Sequence, residues 1–236
     1  SLDGRLQEYT QRTIEREAEL LAMRGIKNVA ALIIDNQSGR VISYVGNSQT
    51  DPLTRDVDII RSPRSSGSIL KPFLYNAMLQ EGSLLPKMLL PDVPVNINGF
   101  TPQNFSMQFE GAVPASEALA RSLNIPAVTM LQRYGVPKFH HLLQQMEFKT
   151  INRTASHYGL SLILGGAEAT LWDVTNAYAQ MGRSLSSSPS PTVSQGKEAQ
   201  ILLETENTEP INNDTKQTSR NHKSNHNKQK KREQSN

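Results

Sequence analysis

Apolar residues recur at helical spacing where the chain begins. Leu6, Tyr9, Ile14, Ala18 and Leu21 stand among charged residues over positions 2–24, the pattern of a surface helix. The period then changes. Val29-Ala30-Ala31-Leu32-Ile33-Ile34-Asp35 is a short apolar run suited to a buried strand, and Asn36-Gln37-Ser38-Gly39 has the chemistry of a turn. Arg40-Val41-Ile42-Ser43-Tyr44-Val45-Gly46 returns as a second strand, so the pattern predicts a β-hairpin. From Leu70 the helical period resumes, with Leu70, Phe73, Leu74, Ala77 and Met78 on one face. Pro72 fits because it lies in the first turn, whose N–H groups lack intrahelical partners in any case.

Helices dominate the next stretch. Residues 114–123 and 126–134 each begin with proline near the first helical position, and Gly135 ends the second. Phe139, Leu142, Leu143 and Met146 mark another helix, and Thr170 is placed to cap one carrying Leu171, Val174, Tyr178 and Met181. Trp172 reads as a core anchor. After Arg183 the composition shifts to Ser and Pro, then to Asn, Lys, Gln and Ser, with no aromatic residue beyond Tyr178. Only Ile201-Leu202-Leu203 offers apolar surface there, too little to offset chain entropy. Residues 1–183 are therefore expected to form the folded part and 184–236 a disordered polar tail.

Charge sharpens that division. Residues 212–236 carry seven Lys/Arg against two Asp/Glu, whereas the 236-residue chain has a net charge of only +3. The basic character belongs to the tail. Basic tails bind polyanions by releasing counterions, but this one lacks aromatic residues for stacking on bases, so nucleic acid is not an expected partner. The chain has no cysteine, which excludes disulfides and thiolate chemistry. No apolar run approaches the roughly 18–20 residues that span a bilayer. The chain starts at Ser1 rather than methionine and reads as a fragment, any targeting segment lying upstream.

The chemistry concentrates in Gly67-Ser68-Ile69-Leu70-Lys71-Pro72-Phe73. Ser68 precedes Lys71 by three residues, close to one helical turn, so both side chains project from one face. A serine hydroxyl is a weak nucleophile until a base takes its proton, and a lysine becomes that base when burial lowers its pKa. The same spacing also describes a helix-capping serine beside a solvent-facing lysine, and it recurs at Ser194 and Lys197. A second element, Ser122-Leu123-Asn124, falls in a short connection between two predicted helices. A serine there could relay a proton and an asparagine could bind both ends of a peptide amide, although helix capping would use the same residues.

Together, these motifs resemble those of the transpeptidase domain of class A, bifunctional penicillin-binding proteins. Serine-x-x-lysine belongs to the signature of penicillin-binding proteins and class A β-lactamases. Ser1–Gln7 is similar to the start of that domain, Ser122–Val128 to its second motif, and Tyr158–Glu168 with Ala177-Tyr178-Ala179 to the helical stretch that follows. The resemblance implies an α+β fold, a helical cluster with an antiparallel sheet. It also implies a nucleophile, Ser68, that attacks the penultimate D-Ala carbonyl of a peptidoglycan stem peptide, or a β-lactam. Lys71 would be the base, Ser122 the proton relay, and Asn124 the residue gripping the substrate amide. For Lys71 to be neutral near pH 7 its pKa must fall from about 10.4 to about 7, a cost of about 4 kcal/mol, which demands a dry, enclosed site. No cofactor is implied. The full-length relative would carry an upstream glycosyltransferase module and a membrane anchor, and would work on the outer face of the bacterial inner membrane.

The chain departs from the family in one respect. The third motif, Lys-Thr/Ser-Gly on an inner strand, is absent, and Lys149-Thr150-Ile151 is only an approximation in the wrong order. The resemblance implies that this inner strand supplies one oxyanion-hole N–H, and losing one such donor typically costs about 10²–10³ in rate. The sheet is therefore expected to lack its C-terminal strands, and the chain to be a truncated, inactive fragment. A non-catalytic binding protein, for β-lactam or stem peptide or for polyanions through the tail, is the alternative. Other constellations carry less. His140-His141 points two ways on a helix, with Gln144 and Gln145 at the next turn, so packing is expected rather than metal binding. Gly165-Gly166 lacks the following Lys-Ser/Thr of a phosphate loop.

Overall fold

The computed structural model describes residues 2–187, so the expected tail lies outside the described residues from position 188 onward. Helix α1 (Gly4–Ala22) begins at Asp3, whose carboxylate accepts from Leu6 N at 2.9 Å. It covers the predicted hairpin, β1 (Ala31–Ile34) and β2 (Val41–Val45), which pairs antiparallel with a bulge between Ile33 and Ile34. Gln7 makes the joint. Its Nε2 donates to Tyr44 O at 2.9 Å, and its Oε1 accepts from Tyr44 N at 2.8 Å and Ser43 Oγ at 3.1 Å. Asp3 N donates to Ile42 O at 2.9 Å, so helix side chain and cap together imitate a third strand along β2. The face buried in α1 is Thr10 and Ala18, whereas Tyr9, expected on that face, is 70 % exposed. The Gln7 contact turns the helix so that polar rather than aromatic positions meet the sheet.

Among the described residues two further strand pairs are present, and both are short. Strand β3 (Arg64–Ser65) pairs with β6 (Glu168–Ala169), and β4 (Leu89–Asp92) pairs with β5 (Gly111–Pro114), both antiparallel. Between and after them lie α2 (Lys71–Gln80), α3 (Ala115–Ala120), α4 (Asn124–Tyr134), α5 (Val136–Gln145), α6 (Ala155–Tyr158), a 3₁₀ turn (Gly159–Leu164) and α7 (Leu171–Ser187). The architecture is α+β, with the helices clustered against small antiparallel sheets. Among the described residues the hairpin sheet has two strands, and the outer edge of β1 has no strand partner.

The core is built around α4. Ile125, Pro126, Ala127, Val128, Met130 and Leu131 are all buried, so this helix is apolar on most sides. It packs on α2, α3, α5, β4 and the 3₁₀ turn. Leu70, Phe73, Leu74 and Met78 of the α2 segment meet it as the period predicts, with Phe139, Leu143, Phe148, Leu162 and Ile163 closing the cluster. Helix α4 starts two residues before the expected position, because Pro126 still falls within a first turn that needs no N–H from it.

Helix α7 is capped by Thr170, whose Oγ1 accepts from Asp173 N at 3.0 Å, as its sequence suggests. It runs to Ser187, so residues 184–187, assigned to the tail by composition, are helical. Trp172 is not a core anchor. It is only part-buried, and the Arg61 guanidinium lies 4.2 Å from its ring centroid. His140 does pack, with Nε2 at 2.8 Å from Arg153 O and its ring beside Tyr158.

Candidate active site

The turn that carries Ser68, residues 66–70, is pinned together with the preceding Ser65 from three directions. Ser66 N donates to Ala167 O at 2.9 Å, Ser65 Oγ donates to Gly165 O at 2.9 Å, and the Tyr178 hydroxyl of α7 donates to Ile69 O at 2.8 Å. Gly165 makes the closest approach. Its φ is +102°, and a Cβ there would stand 2.8 Å from Gly67 N and 2.7 Å from Ser65 Oγ. Backbone can lie against backbone here only because residue 165 has no side chain. Gly165 therefore seats the turn that carries Ser68. A cleft of about 260 Å³ runs along Ser65, Ser66, Ile69 and Thr170 beside this turn.

Lys71 is the first residue of α2 and is 2 % exposed, which rules out a solvent-facing lysine beside a capping serine. Its Nζ donates to Ser122 O at 2.7 Å, Asn124 Oδ1 at 2.8 Å, Ser122 Oγ at 3.2 Å and Leu123 O at 3.3 Å. Four acceptors thus surround three N–H bonds. Among the described residues no carboxylate lies within ion-pair distance of this amine. Burial without a counter-charge pushes the Lys71 pKa down from 10.5 to about 8.

Ser122 achieves its position through backbone strain. Its φ is +54°, a left-handed conformation that costs a non-glycine residue about 1 kcal/mol or more. The bend between α3 and α4 turns both its carbonyl and its hydroxyl onto Lys71. Asn124 follows as the first residue of α4 rather than as part of a loop. Its Oδ1 takes Lys71, and its Nδ2 donates to Gln103 O at 2.8 Å. The structure therefore brings Lys71, Ser122 and Asn124 together. Ser68 stands half-buried on the adjoining turn, and its hydroxyl makes no hydrogen bond among the described residues.

The support behind Asn124 was not legible in the sequence. Asn104 Oδ1 accepts from Asn124 N at 2.9 Å, and Asn104 Nδ2 donates to Asp92 Oδ1 at 2.7 Å. Asn104 lies in Thr101-Pro102-Gln103-Asn104-Phe105, which has no periodicity, and its partners are 12 and 20 residues away. In the Lys149-Thr150 pair, Thr150 Oγ1 donates to Glu168 O at 2.6 Å, on the strand paired with Ser65.

Known proteins resemble this chain along most of its length. The sequence profile of the penicillin binding protein transpeptidase domain matches residues 29–233. The chain belongs to that family. The match continues across the composition change at residue 184. Penicillin-binding protein 1C of Escherichia coli is 40 % identical over 158 residues, covering 66 % of this chain and 20 % of that protein. Penicillin-binding protein 1B of Vibrio cholerae is 28 % identical over 199 residues, covering 80 % of this chain and 25 % of the relative. The chain thus spans a fifth to a quarter of the length of these relatives. Among solved structures, penicillin-binding protein 1A of Haemophilus influenzae superposes with a TM-score of 0.56 at 27 % identity, over 64 % of this chain and 23 % of that one. Penicillin-binding protein 3 of Mycobacterium tuberculosis shares the fold with a TM-score of 0.65 at 20 % identity, over 77 % of this chain and 46 % of that one. No described helix is long and apolar enough to cross a membrane.

Proposed function

We propose that this stretch carries the acyl-accepting part of a D,D-transpeptidase of peptidoglycan synthesis. Ser68 Oγ would attack the penultimate D-Ala carbonyl of a stem peptide, forming the ester as the C–N bond to the terminal D-Ala breaks. Neutral Lys71 takes the hydroxyl proton, and Ser122 passes a proton to the departing amine. The remaining N–H of Asn124 Nδ2 is available to a substrate carbonyl, its other N–H and its oxygen being engaged. An amine from a second stem peptide then resolves the ester. A β-lactam acylates Ser68 by the same attack, its ring nitrogen being the group that leaves. No cofactor takes part. In the whole protein the partners would be stem peptides, β-lactams and an upstream glycosyltransferase module, at the outer face of the inner membrane.

The observation that carries this reading is the buried, carboxylate-free Lys71 amine held on Ser122 and Asn124, one turn from Ser68. With a pKa of about 8, roughly one lysine in ten is neutral at pH 7, a usable fraction of base. Turnover by this stretch alone is a different matter. The sequence holds no Lys-Thr/Ser-Gly, and a missing oxyanion donor costs about 10²–10³ in rate. We infer slow acylation and no efficient cross-linking. A non-catalytic binding role is the second reading, favoured by the ammonium being shared among acceptors that do not include the Ser68 hydroxyl.

Labelling with a fluorescent penicillin separates the two. Covalent label that disappears in Ser68→Ala supports the acyl-enzyme. Reversible retention that survives Ser68→Ala supports binding without chemistry. A folded protein that does neither overturns both.

A further inference from the structure

The N-terminus of α4 has no cap of its own. Leu123 occupies the capping position, and a leucine side chain accepts nothing. Asn104 supplies the missing acceptor from 20 residues away, its Oδ1 taking Asn124 N at 2.9 Å and Ile125 N at 3.3 Å. Its Nδ2 is spent on Asp92 Oδ1 at 2.7 Å and Gln108 O at 3.0 Å, so all four hydrogen-bonding positions of this amide are filled. Asn104 is 2 % exposed and Asp92 1 %. The second oxygen of Asp92 accepts from Glu110 N at 3.0 Å, which ties the segment to β4.

The neighbouring residue completes the arrangement. Gln103 O can only accept, so the group of Asn124 facing it at 2.8 Å must be the Nδ2. Asn124 Oδ1 is then turned to Lys71 Nζ, 2.8 Å away. Reversing the amide would set an N–H₂ against an ammonium and an oxygen against a carbonyl, two repulsive contacts in place of two hydrogen bonds. The position also selects its residue. An aspartate in place of Asn104 would face the Asp92 carboxylate and the Gln108 carbonyl, and a shorter side chain would leave two helix N–H groups and a buried carboxylate without their partner.

We propose that Asn104, anchored on Asp92, is a positioning residue of this site, fixing the first turn of α4 and keeping the Asn124 oxygen on the lysine. The proposal rests on the reading of Lys71 and Asn124 as site groups, and it acts through them; Asn104 itself touches no reacting atom. Asn104→Ala removes both halves of the support. Asn104→Asp combined with Asp92→Asn exchanges them. In this exchange variant the introduced carboxylate still accepts from the helix, while the introduced amide still accepts from Glu110 N and donates across. The exposed Gln108 carbonyl turns to water.

The test follows hydrogen exchange of the Asn124 side-chain amide by NMR, assigned by its loss in Asn124→Ala, alongside the penicillin acylation rate. In Asn104→Ala the Asn124 amide should exchange about tenfold faster or more while the α4 and α5 backbone amides stay protected, and acylation should slow by about tenfold or more. The exchange variant should restore Asn124 protection and bring the acylation rate back to within about threefold of the original. An unchanged Asn124 amide in Asn104→Ala overturns the proposal, as does slowed acylation with that amide intact. If Asn104→Ala loses core protection, the folded exchange variant decides: a protected Asn124 amide supports the positioning role, and a free one overturns it. A wild-type protein that takes no label refutes the acyl-enzyme reading alone, and the amide measurement still decides on Asn104.

Discussion

Lys71 links stability to pH in a way few lysines do. Its folded pKa of about 8 lies below the unfolded value of 10.5, because burial penalises the ammonium. The penalty is fully present below pH 8 and is relieved as pH rises from the folded toward the unfolded value. In that window the unfolded chain holds the extra proton, so stability must climb. For these two pKa values the gain between about pH 7.5 and about pH 9.5 is about 2 kcal/mol. Part-buried Tyr178 works in the opposite direction: its pKa is raised by desolvation, so its stabilisation is lost only at higher pH, as alkali removes its proton. Urea denaturation across this range, in wild type and in Lys71→Met, isolates the lysine as the difference between two slopes. The wild type should gain about 2 kcal/mol relative to Lys71→Met. Parallel curves, or a wild type that loses stability faster than the variant, would refute the premise that Lys71 is buried without a counter-charge. The same titration predicts that penicillin acylation accelerates with pH and levels off above about pH 8.

Three further outcomes follow from named contacts. Gly165→Ala forces a Cβ to within 2.8 Å of Gly67 N at a φ of +102°, so we expect a loss of about 2 kcal/mol or more in urea denaturation and weaker penicillin labelling. A full-strength label at unchanged stability would show that residues 65–67 do not depend on that approach. Gln7→Ala removes three hydrogen bonds to β2 and should cost about 1–3 kcal/mol, with hydrogen exchange at Tyr44 N accelerated before that of the α4 core. Tyr178→Phe keeps the ring on Phe73, 4.6 Å away, and deletes only the bond to Ile69 O. It should lower thermal stability slightly, by about 1 kcal/mol, and slow acylation more than the Phe73→Leu change of the same core contact slows it.

What the sequence revealed depended on distance along the chain. The hairpin was legible because its alternation and its Asn36–Gly39 turn are local, and so was the Thr170 cap of α7. The Ser68–Lys71 and Ser122–Asn124 pairs were legible as spacings, and a single hydrophobic stripe placed α2. Contacts that bring remote polar groups together left no such mark. Nothing in the periodicity of α1 told that Gln7 rather than Tyr9 would meet the sheet, since a polar side chain that serves a strand looks like any surface residue. The left-handed backbone of Ser122 was equally silent, because serine has no preference for it and only the packing of α3 against α4 imposes it. Asn104 belongs to the same class: its importance comes from what it touches 12 and 20 residues away.

The Gln7 contact also gives the hairpin sheet a polarity. Tyr44 N, Tyr44 O and Ile42 O on the outer side of β2 are already engaged by α1 and its cap, which leaves that side with little to offer an incoming chain. Beyond the far side, β1 presents a row of strand backbone whose ladder partners within residues 2–187 come from β2 alone. Growth of this sheet is therefore directional, with added strands, whether from this polypeptide or from another molecule, recruited at β1 and excluded at β2. A small helix-borne amide thereby acts as a terminator of the sheet at β2.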